Sequence, residues 1–150
     1  MQNKPLVLII DDEEDIISIL TFLLRRNGMD TLSAKDGIEA LELIKQHQFS
    51  GIVSDLLMPK MDGIQLLKII RQHGNNVPFI FLSGHANSFD EHVMYNYGTY
   101  ELIHKPDIEK VPEGLQKLFK TNHEIQMLQQ SGNEAEEFLE LLHDSKKKTG

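Results

Sequence analysis

Four largely apolar segments of this chain each lead directly to a charged or hydroxyl-bearing side chain. They are LVLII before Asp11, GIVS before Asp55, FIFL before Ser83 and YELIH before Lys105. Continuous apolar runs are typical of parallel strands buried on both faces, and ligands of open parallel sheets lie beyond the carboxyl ends of the strands. The pattern therefore predicts that residues far apart in sequence meet at one edge of a sheet.

Helical signals alternate with the strand signals along the chain. The predicted strands cover residues 6–10, 29–33, 51–54, 79–82 and about 100–104, and the intervening helical signals cover 16–27, 36–47, 62–74 and about 88–97. Five such units predict an α/β fold with a doubly wound parallel sheet covered by helices on both faces. A last covering helix over 107–120 should start near residue 111, because Pro112 fits the first turn of a helix.

The chain beyond this helix has its own pattern. We predict a domain in residues 1–120 and a helical C-terminal extension in residues 121–150. Ser131-Gly132-Asn133 predicts a helix stop followed by a new N-cap. Apolar residues recur there at heptad-like spacing, at Leu118, Ile125, Leu128, Ala135, Leu139 and Leu142. This stripe has two interpretations, namely a homodimerisation or docking helix, or an amphipathic helix folded back onto the domain.

Composition excludes several classes of protein. The 150 residues and 40% hydrophobic content suit one domain with a sizeable core. The formal net charge of -8 disfavours direct nucleic-acid binding, because such binding depends on cationic contacts to phosphates. The chain has no cysteine and therefore neither disulfides nor thiolate metal ligands. No signal peptide and no apolar run of membrane-spanning length is evident, so we predict a cytoplasmic protein without membrane insertion.

The acidic residues at two strand ends indicate the chemistry of the predicted site. Asp11, Asp12 and Asp55 would supply hard oxygen ligands of the kind that Mg²⁺ prefers. Asp55 could also act as a nucleophile towards phosphorus if a cation offsets the repulsion between the two anions. Lys105 and Ser83 would then supply the ammonium and the hydroxyl that neutralise and position a phosphoryl group.

These residues carry a family resemblance. The acidic pair after the first strand, DLLMPKMDG from Asp55 to Gly63, LSGHA from Leu82 to Ala86, and Lys105-Pro106 occur in order. Together they resemble a response regulator receiver domain of two-component signalling, over about residues 5 to 120. The resemblance implies a flavodoxin-like sheet of five strands in the order 2-1-3-4-5.

The resemblance also implies a role for each matching residue. Asp55 would accept the phosphoryl group, while Asp12 would bind Mg²⁺ directly, Asp11 would bind it through water, and Leu57 would contribute its backbone carbonyl. Ser83 would hydrogen-bond the phosphoryl group, and Lys105 would pair with it. The Lys105–Pro106 peptide would be cis, which is otherwise a minority state.

The chain departs from the family pattern at one position, and two other positions bear on the access of water to Asp55. Leu102 stands three residues before the lysine, where receivers usually carry a tyrosine or phenylalanine that turns inward on phosphorylation, and Tyr100 is the alternative aromatic side chain on that side of the strand. Leu57 should shield the acceptor from water, whereas His85 could orient a water molecule towards it. The readout of phosphorylation is therefore expected to differ from the family norm.

The predicted function is that of a non-enzymatic phosphoacceptor. A sensor histidine kinase or a histidine phosphotransfer protein would donate the phosphoryl group, and a downstream protein would be regulated through phosphorylation-dependent contacts. One alternative is an adaptor that keeps the fold without phosphorylation. Another is a phosphohydrolase with an aspartate nucleophile, although such enzymes usually carry a second acid where this chain has Leu57.

Overall fold

The computed structural model describes residues 3–84, 97 and 100–148, and all side chains in these ranges except those of residues 100 and 144–148. The strands are β1 (Leu6–Ile10), β2 (Asp30–Ala34), β3 (Gly51–Asp55), β4 (Phe79–Ser83) and β5 (Tyr100–His104). The helices are α1 (Glu14–Arg26), α2 (Gly37–Gln46) and α3 (Gly63–Gln72), followed by a 3₁₀ helix (Lys105–Lys110) and a long C-terminal helix (Val111–Lys148).

The five strands form one parallel sheet in the order β2-β1-β3-β4-β5. This arrangement confirms the predicted α/β fold and its 2-1-3-4-5 strand order. Since all the strands run in the same direction, their carboxyl ends share one edge of the sheet. The residues that follow β1, β3, β4 and β5 are thereby brought together at that edge, which we call the carboxyl edge.

Local sequence explains where the helices begin and end. Asp36 and Asp62 are N-caps, and the side chain of each accepts a hydrogen bond at 2.8 Å from the backbone N–H three residues later. Gly28 follows the C-cap of α1 with φ of +81°, a left-handed conformation that glycine adopts without steric cost. The predicted boundaries of α1, α2 and α3 are therefore confirmed to within a few residues.

The core lies on both faces of the sheet because side chains alternate along each strand. On β1, Leu8 and Ile10 join one cluster, which also contains Phe79 and Phe81. Val7 and Ile9 join the other, which includes the first two turns of the C-terminal helix. Both clusters consist of apolar side chains, while the buried polar residues lie at the carboxyl ends of β1, β3 and β4, namely Asp11, Ser54, Asp55 and Ser83.

The end of the chain confirms one prediction and overturns another. The C-terminal helix begins at Val111 with Pro112 in its first turn, as predicted. It then continues through Ser131, Gly132 and Asn133, so the predicted helix stop there is wrong. A single glycine costs a helix only about 1 kcal/mol, and the leucines and glutamates around it are good helix formers.

Two compact units make up the chain, residues 1–119 and residues 120–150. In the second unit the apolar side chains of the stripe are exposed, including those of Ile125, Leu128, Leu139 and Leu142. The helix predicted near residues 88–97 lies outside the described residues, apart from Tyr97. In the described parts of the chain, no helix has both the length and the hydrophobicity that a bilayer crossing requires.

Candidate phosphoacceptor site

The two acidic residues after β1 lie in different environments. Asp11 is fully buried, its backbone N–H donates to the carbonyl of Ala34 at 3.1 Å, and its Oδ1 accepts from the backbone N–H of Glu13 at 2.9 Å. Asp12 is exposed. The chain leaves the sheet here through a tight turn, which holds one carboxylate inward and leaves the other open to solvent.

Asp55 is the last residue of β3 and is only 6% exposed. Its backbone carbonyl accepts a hydrogen bond from the buried Ser54 hydroxyl at 2.9 Å, and the next residue, Leu56, donates to the carbonyl of Leu82 on β4 at 2.9 Å. A backbone hydrogen bond from Leu57 reaches the Asp55 carboxylate. Asp55 is therefore fixed by the sheet on one side and by the following loop on the other.

Three carboxylates converge at the carboxyl edge. One oxygen from each of Asp11, Asp12 and Asp55 lies within 4.8 Å of the other two. Desolvation raises the pKa of Asp11 to about 6 and also raises the pKa of Asp55, although Lys105 acts in the opposite direction on both. Close packing of buried acids is unfavourable unless a cation accompanies them.

The donor set fits a magnesium ion. The Oδ2 atom of Asp11 is buried, and the Lys105 ammonium 3.3 Å away is an ion-pair partner that does not meet hydrogen-bond geometry. This oxygen and those of two further carboxylates are the hard oxygen ligands that Mg²⁺ binds. The assignment of Asp12 and Asp55 as direct ligands, of Asp11 as a ligand through water and of the Leu57 carbonyl as a further ligand stays a prediction from the family resemblance.

Lys105 follows β5 and brings a positive charge into this acidic group. Its Nζ lies 3.4 Å from Asp55 Oδ2, 3.3 Å from Asp11 Oδ2 and 2.7 Å from Glu13 Oε1, and its side chain is 16% exposed. Burial opposes the charged form, but the hydrogen bond to Glu13 and the charges of Asp11 and Asp55 outweigh it and raise the pKa of Lys105. The charged form of the ammonium is therefore favoured, and it lies beside Asp55.

The prediction of a cis peptide at Lys105–Pro106 is wrong, because this peptide is trans and the described residues contain no cis peptide. The trans state of an X–Pro bond is favoured by about 0.5–1 kcal/mol. Pro106 also lies in the first turn of the 3₁₀ helix, where its fixed φ and missing N–H are tolerated. The lysine is held instead by its three carboxylate partners.

Ser83 is the last residue of β4 and is 2% exposed. It pairs in register with His104, the residue before Lys105, while Leu82 pairs with Asp55. The sheet thus brings the hydroxyl-bearing residue to the same edge as the acceptor and the lysine. Its hydrogen bond to a phosphoryl group stays a prediction.

Of the four remaining predicted positions, the structure describes the side chains of two, Leu57 and Leu102. Leu57 lies two residues after Asp55 and is 57% exposed, and its shielding role stays a prediction. Leu102 is half-buried, packs against the apolar cluster of β1 and β4, and pairs in register with Phe81. His85 and the side chain of Tyr100 lie outside the described residues, so their roles stay predictions.

Sequence reasoning missed two contacts, one at this edge and one at the opposite edge of the sheet, before β4 and β5, where Arg71 also donates to the carbonyl of Val77. Glu13 was interpreted as part of an acidic helix start, whereas its carboxylate is the nearest partner of Lys105. Tyr97 was not singled out, yet its backbone carbonyl accepts from Arg71 Nε at 2.7 Å and its ring lies 5.5 Å from Lys68 Nζ. No short motif marks either contact, because the partners are 92 and 26 residues apart in the two hydrogen bonds.

Comparison with known proteins agrees with this geometry. The family model described as the response regulator receiver domain matches residues 7–116. The alkaline phosphatase synthesis transcriptional regulatory protein PhoP of Bacillus subtilis is 35% identical over 104 residues, which cover 69% of this chain and 43% of that protein. A probable transcriptional regulator, ycf27 of Porphyridium aerugineum, is 37% identical over 104 residues, with the same two coverages of 69% and 43%. The chain therefore spans less than half the length of these curated relatives.

Solved structures give the same result for the fold. The receiver domain of the Francisella response regulator 1452 is 35% identical, with a TM-score of 0.72, and the match covers 79% of this chain and 99% of that one. The chemotaxis protein CheY4 of Vibrio cholerae is 26% identical, with a TM-score of 0.71 over 77% of this chain and 99% of that one. Sequence, fold and site agree, and the chain belongs to the response regulator receiver domain family of two-component signalling.

Proposed function

We propose that this receiver accepts a phosphoryl group on Asp55 and regulates a downstream protein through contacts that depend on phosphorylation. The observation that carries the proposal is the convergence of three carboxylates within 4.8 Å at the carboxyl edge, with the Lys105 ammonium 3.4 Å from Asp55. A carboxylate nucleophile, a cation-binding site and an adjacent ammonium are the parts that phosphoryl transfer to an aspartate requires.

The residues would divide the chemistry as follows. A carboxylate oxygen of Asp55 attacks the phosphorus of a phosphohistidine, the bond from phosphorus to the imidazole nitrogen breaks, and an acyl phosphate forms on Asp55. Lys105 and the Ser83 hydroxyl would bind oxygens of the transferred group. Asp12, Asp55 and the Leu57 carbonyl would hold Mg²⁺ directly and Asp11 would hold it through water, and the ion would supply charge that offsets the repulsion between the two anions.

The donor would be a sensor histidine kinase or a histidine phosphotransfer protein, and the receiver itself would not act as an enzyme on other substrates. Two of its relatives are named as transcriptional regulators. Since the chain spans less than half of their length, we infer no DNA binding from those names. The net charge of -8 instead favours output through protein contacts.

Labelling with acetyl phosphate and Mg²⁺ tests the proposal. We expect intact-mass measurements to show one added phosphoryl group on the wild-type protein and none on Asp55→Asn. Asp30→Asn removes an exposed carboxylate from β2 and is the matched control, which should be labelled like the wild type. Absence of label on the wild-type protein would favour the phosphorylation-independent adaptor, the alternative suggested by Leu102.

The phosphohydrolase alternative predicts a different result. An aspartate-nucleophile hydrolase needs a second acid to protonate the leaving group and to activate water, and the apolar Leu57 cannot do either. We expect no turnover of p-nitrophenyl phosphate above that of Asp55→Asn. Multiple turnovers that Asp55→Asn abolishes would establish the hydrolase instead.

We keep the division into a receiver domain, residues 1–120, and a helical extension, residues 121–150, as part of the proposal. The exposed stripe of the extension would mediate a homodimer in one of its two interpretations. Light scattering of the full chain distinguishes them, with Leu128→Glu and Leu139→Glu expected to shift a dimer to a monomer. A wild-type protein that is already monomeric would leave the folded-back helix as the interpretation.

A further inference from the structure

We propose that Glu13 is a positioning residue that competes with the phosphoryl group for Lys105. This inference rests on the proposed function and names a residue that regulates the same site. In the structure, the Glu13 carboxylate is 2.7 Å from Lys105 Nζ, whereas Asp11 and Asp55 are 3.3 and 3.4 Å away. Of these three carboxylates, only that of Glu13 lies at the short distance, about 2.7–2.9 Å, of a strong charge-assisted hydrogen bond to the ammonium.

The local structure shows that the Glu13 side chain is not used by its own helix. Glu13 is the N-cap of α1, a position whose side chain usually accepts a hydrogen bond from the first turn of the helix. Its side chain makes no such bond, while Asp36 and Asp62 both do so at the equivalent positions of α2 and α3. The Glu13 carboxylate thus turns away from its own helix and towards Lys105.

The backbone of Glu13 links the same contact to the acidic site. Its N–H donates to Asp11 Oδ1 at 2.9 Å, so the residue is fixed by the buried carboxylate on one side and by the lysine on the other. Asp11 is fully buried, whereas the Glu13 side chain is 58% exposed. The Glu13 carboxylate can therefore leave Lys105 and be solvated by water without disturbing the buried carboxylate of Asp11.

A phosphoryl group on Asp55 changes the balance of charge around the ammonium. Its oxygens would bind Lys105 in place of Glu13, so the Glu13–Lys105 pair must weaken or break for full engagement. Removing the Glu13 charge should make this step easier. The pair is largely solvent-exposed on the glutamate side, so the expected gain in affinity for a phosphoryl mimic is modest, about two- to fivefold.

Beryllofluoride titration at saturating Mg²⁺ measures this gain. The chain has no tryptophan, so the titration is followed by amide chemical shifts. We expect Glu13→Gln to lower the beryllofluoride dissociation constant about two- to fivefold. Asp15→Asn removes the same charge from an exposed position in the first turn of α1 and should leave the constant within about 1.5-fold of wild type.

Two further measurements separate positioning of Lys105 from other effects. In a Lys105→Met background, Glu13→Gln should no longer change the beryllofluoride dissociation constant. The Mg²⁺ dissociation constant, measured without beryllofluoride, should be the same in Glu13→Gln as in wild type. A persistent effect without Lys105, or weaker Mg²⁺ binding in Glu13→Gln, would overturn the inference.

The proposed function and this inference fail in different ways. If the wild-type protein neither binds beryllofluoride with Mg²⁺ nor is labelled by acetyl phosphate, the proposed function fails. If the wild-type protein does both and Glu13→Gln has the wild-type affinity for beryllofluoride, only the role of Glu13 is refuted.

Discussion

Replacing Gly63 by alanine would push a methyl group against the backbone of the acceptor residue. Gly63 is the first residue of α3, and its N–H donates to the carbonyl of Leu56 at 3.1 Å. A Cβ atom there would lie 2.5 Å from the backbone oxygen of Asp55, and 3.2 Å from both Ser54 Oγ and the Phe81 ring. The carbonyl cannot rotate away like a flexible side chain, so β3 and α3 must move apart.

The size of the effect follows from two opposing terms. Overpacking of a tightly packed site costs about 1–3 kcal/mol. Removal of a glycine from a helix returns up to about 1 kcal/mol. We therefore expect Gly63→Ala to lower the free energy of unfolding by about 1–2 kcal/mol. Since Asp55 itself is displaced, its labelling by acetyl phosphate should slow roughly tenfold.

Gly37→Ala is the matched control. Gly37 is also the first residue of a helix, α2, and also follows an aspartate N-cap. A Cβ atom there would meet the side chain of Met61, with Sδ at 2.8 Å, Cγ at 2.9 Å and Cβ at 3.0 Å. Methionine is unbranched and can change rotamer, so the expected cost is below about 1 kcal/mol and the labelling rate should change little.

Urea denaturation followed by far-ultraviolet circular dichroism gives the free energies, and intact-mass measurements over time give the labelling rates. The two variants must differ for the reasoning to hold. A Gly63→Ala protein with wild-type stability and labelling rate would refute it, and so would a Gly37→Ala protein that is impaired to the same degree.

Three other predictions concern the buried acid, the shielding leucine and the long helix. The pKa of Asp11 is raised from 3.8 to about 6 in the folded protein, so the folded protein binds this proton more tightly than the unfolded chain does. In EDTA, the free energy of unfolding should therefore fall as the pH rises through about 6. The loss in free energy of unfolding from ionised Asp11 is absent below pH 3.8 and reaches about 3 kcal/mol above pH 6. Urea denaturation of Asp11→Asn should therefore show a flatter pH dependence. A pH dependence equal to that of wild type would contradict the assignment. Leu57→Asn should speed loss of the phosphoryl group from Asp55, because it replaces an exposed apolar side chain by a polar one that can bind water; equal decay of the mass label in both proteins would remove the shielding role. Gly132→Ala should stabilise the C-terminal helix by about 1 kcal/mol, because nothing lies within 4 Å of the added Cβ atom, and unchanged amide hydrogen exchange around residue 132 would argue against a helix that continues through that position.

The sequence alone was sufficient for the fold and for most of the site. Buried parallel strands are read directly as apolar runs, such as LVLII and FIFL, and parallel strands put the residues that follow them at one edge. Asp55, Ser83 and Lys105 were predicted on that basis and lie at that edge. The N-caps Asp36 and Asp62 could also be predicted from the sequence, because a cap acts over three residues.

Two local features, the helix stop at residues 131–133 and the isomer of the Lys105–Pro106 peptide, were predicted wrongly because the surrounding structure decides them. The Ser131-Gly132-Asn133 segment carries local stop signals, but the helix continues because one glycine costs less than the helix gains on both sides of it. The sequence could not determine the isomer of the Lys105–Pro106 peptide either, because the cis and trans states differ by only about 0.5–1 kcal/mol and the surrounding structure selects one.

What the sequence determined by itself is therefore the set of candidate site residues and the edge of the sheet on which they lie. Only the tertiary structure decided how Lys105 is shared among them. Its ammonium is 2.7 Å from Glu13 and 3.4 Å from Asp55, and these distances depend on where a turn after β1 and a turn after β5 place two side chains that are 92 residues apart. Strand periodicity fixes which residues reach an edge, but ion-pair distances depend on the packing of loops that no local pattern specifies.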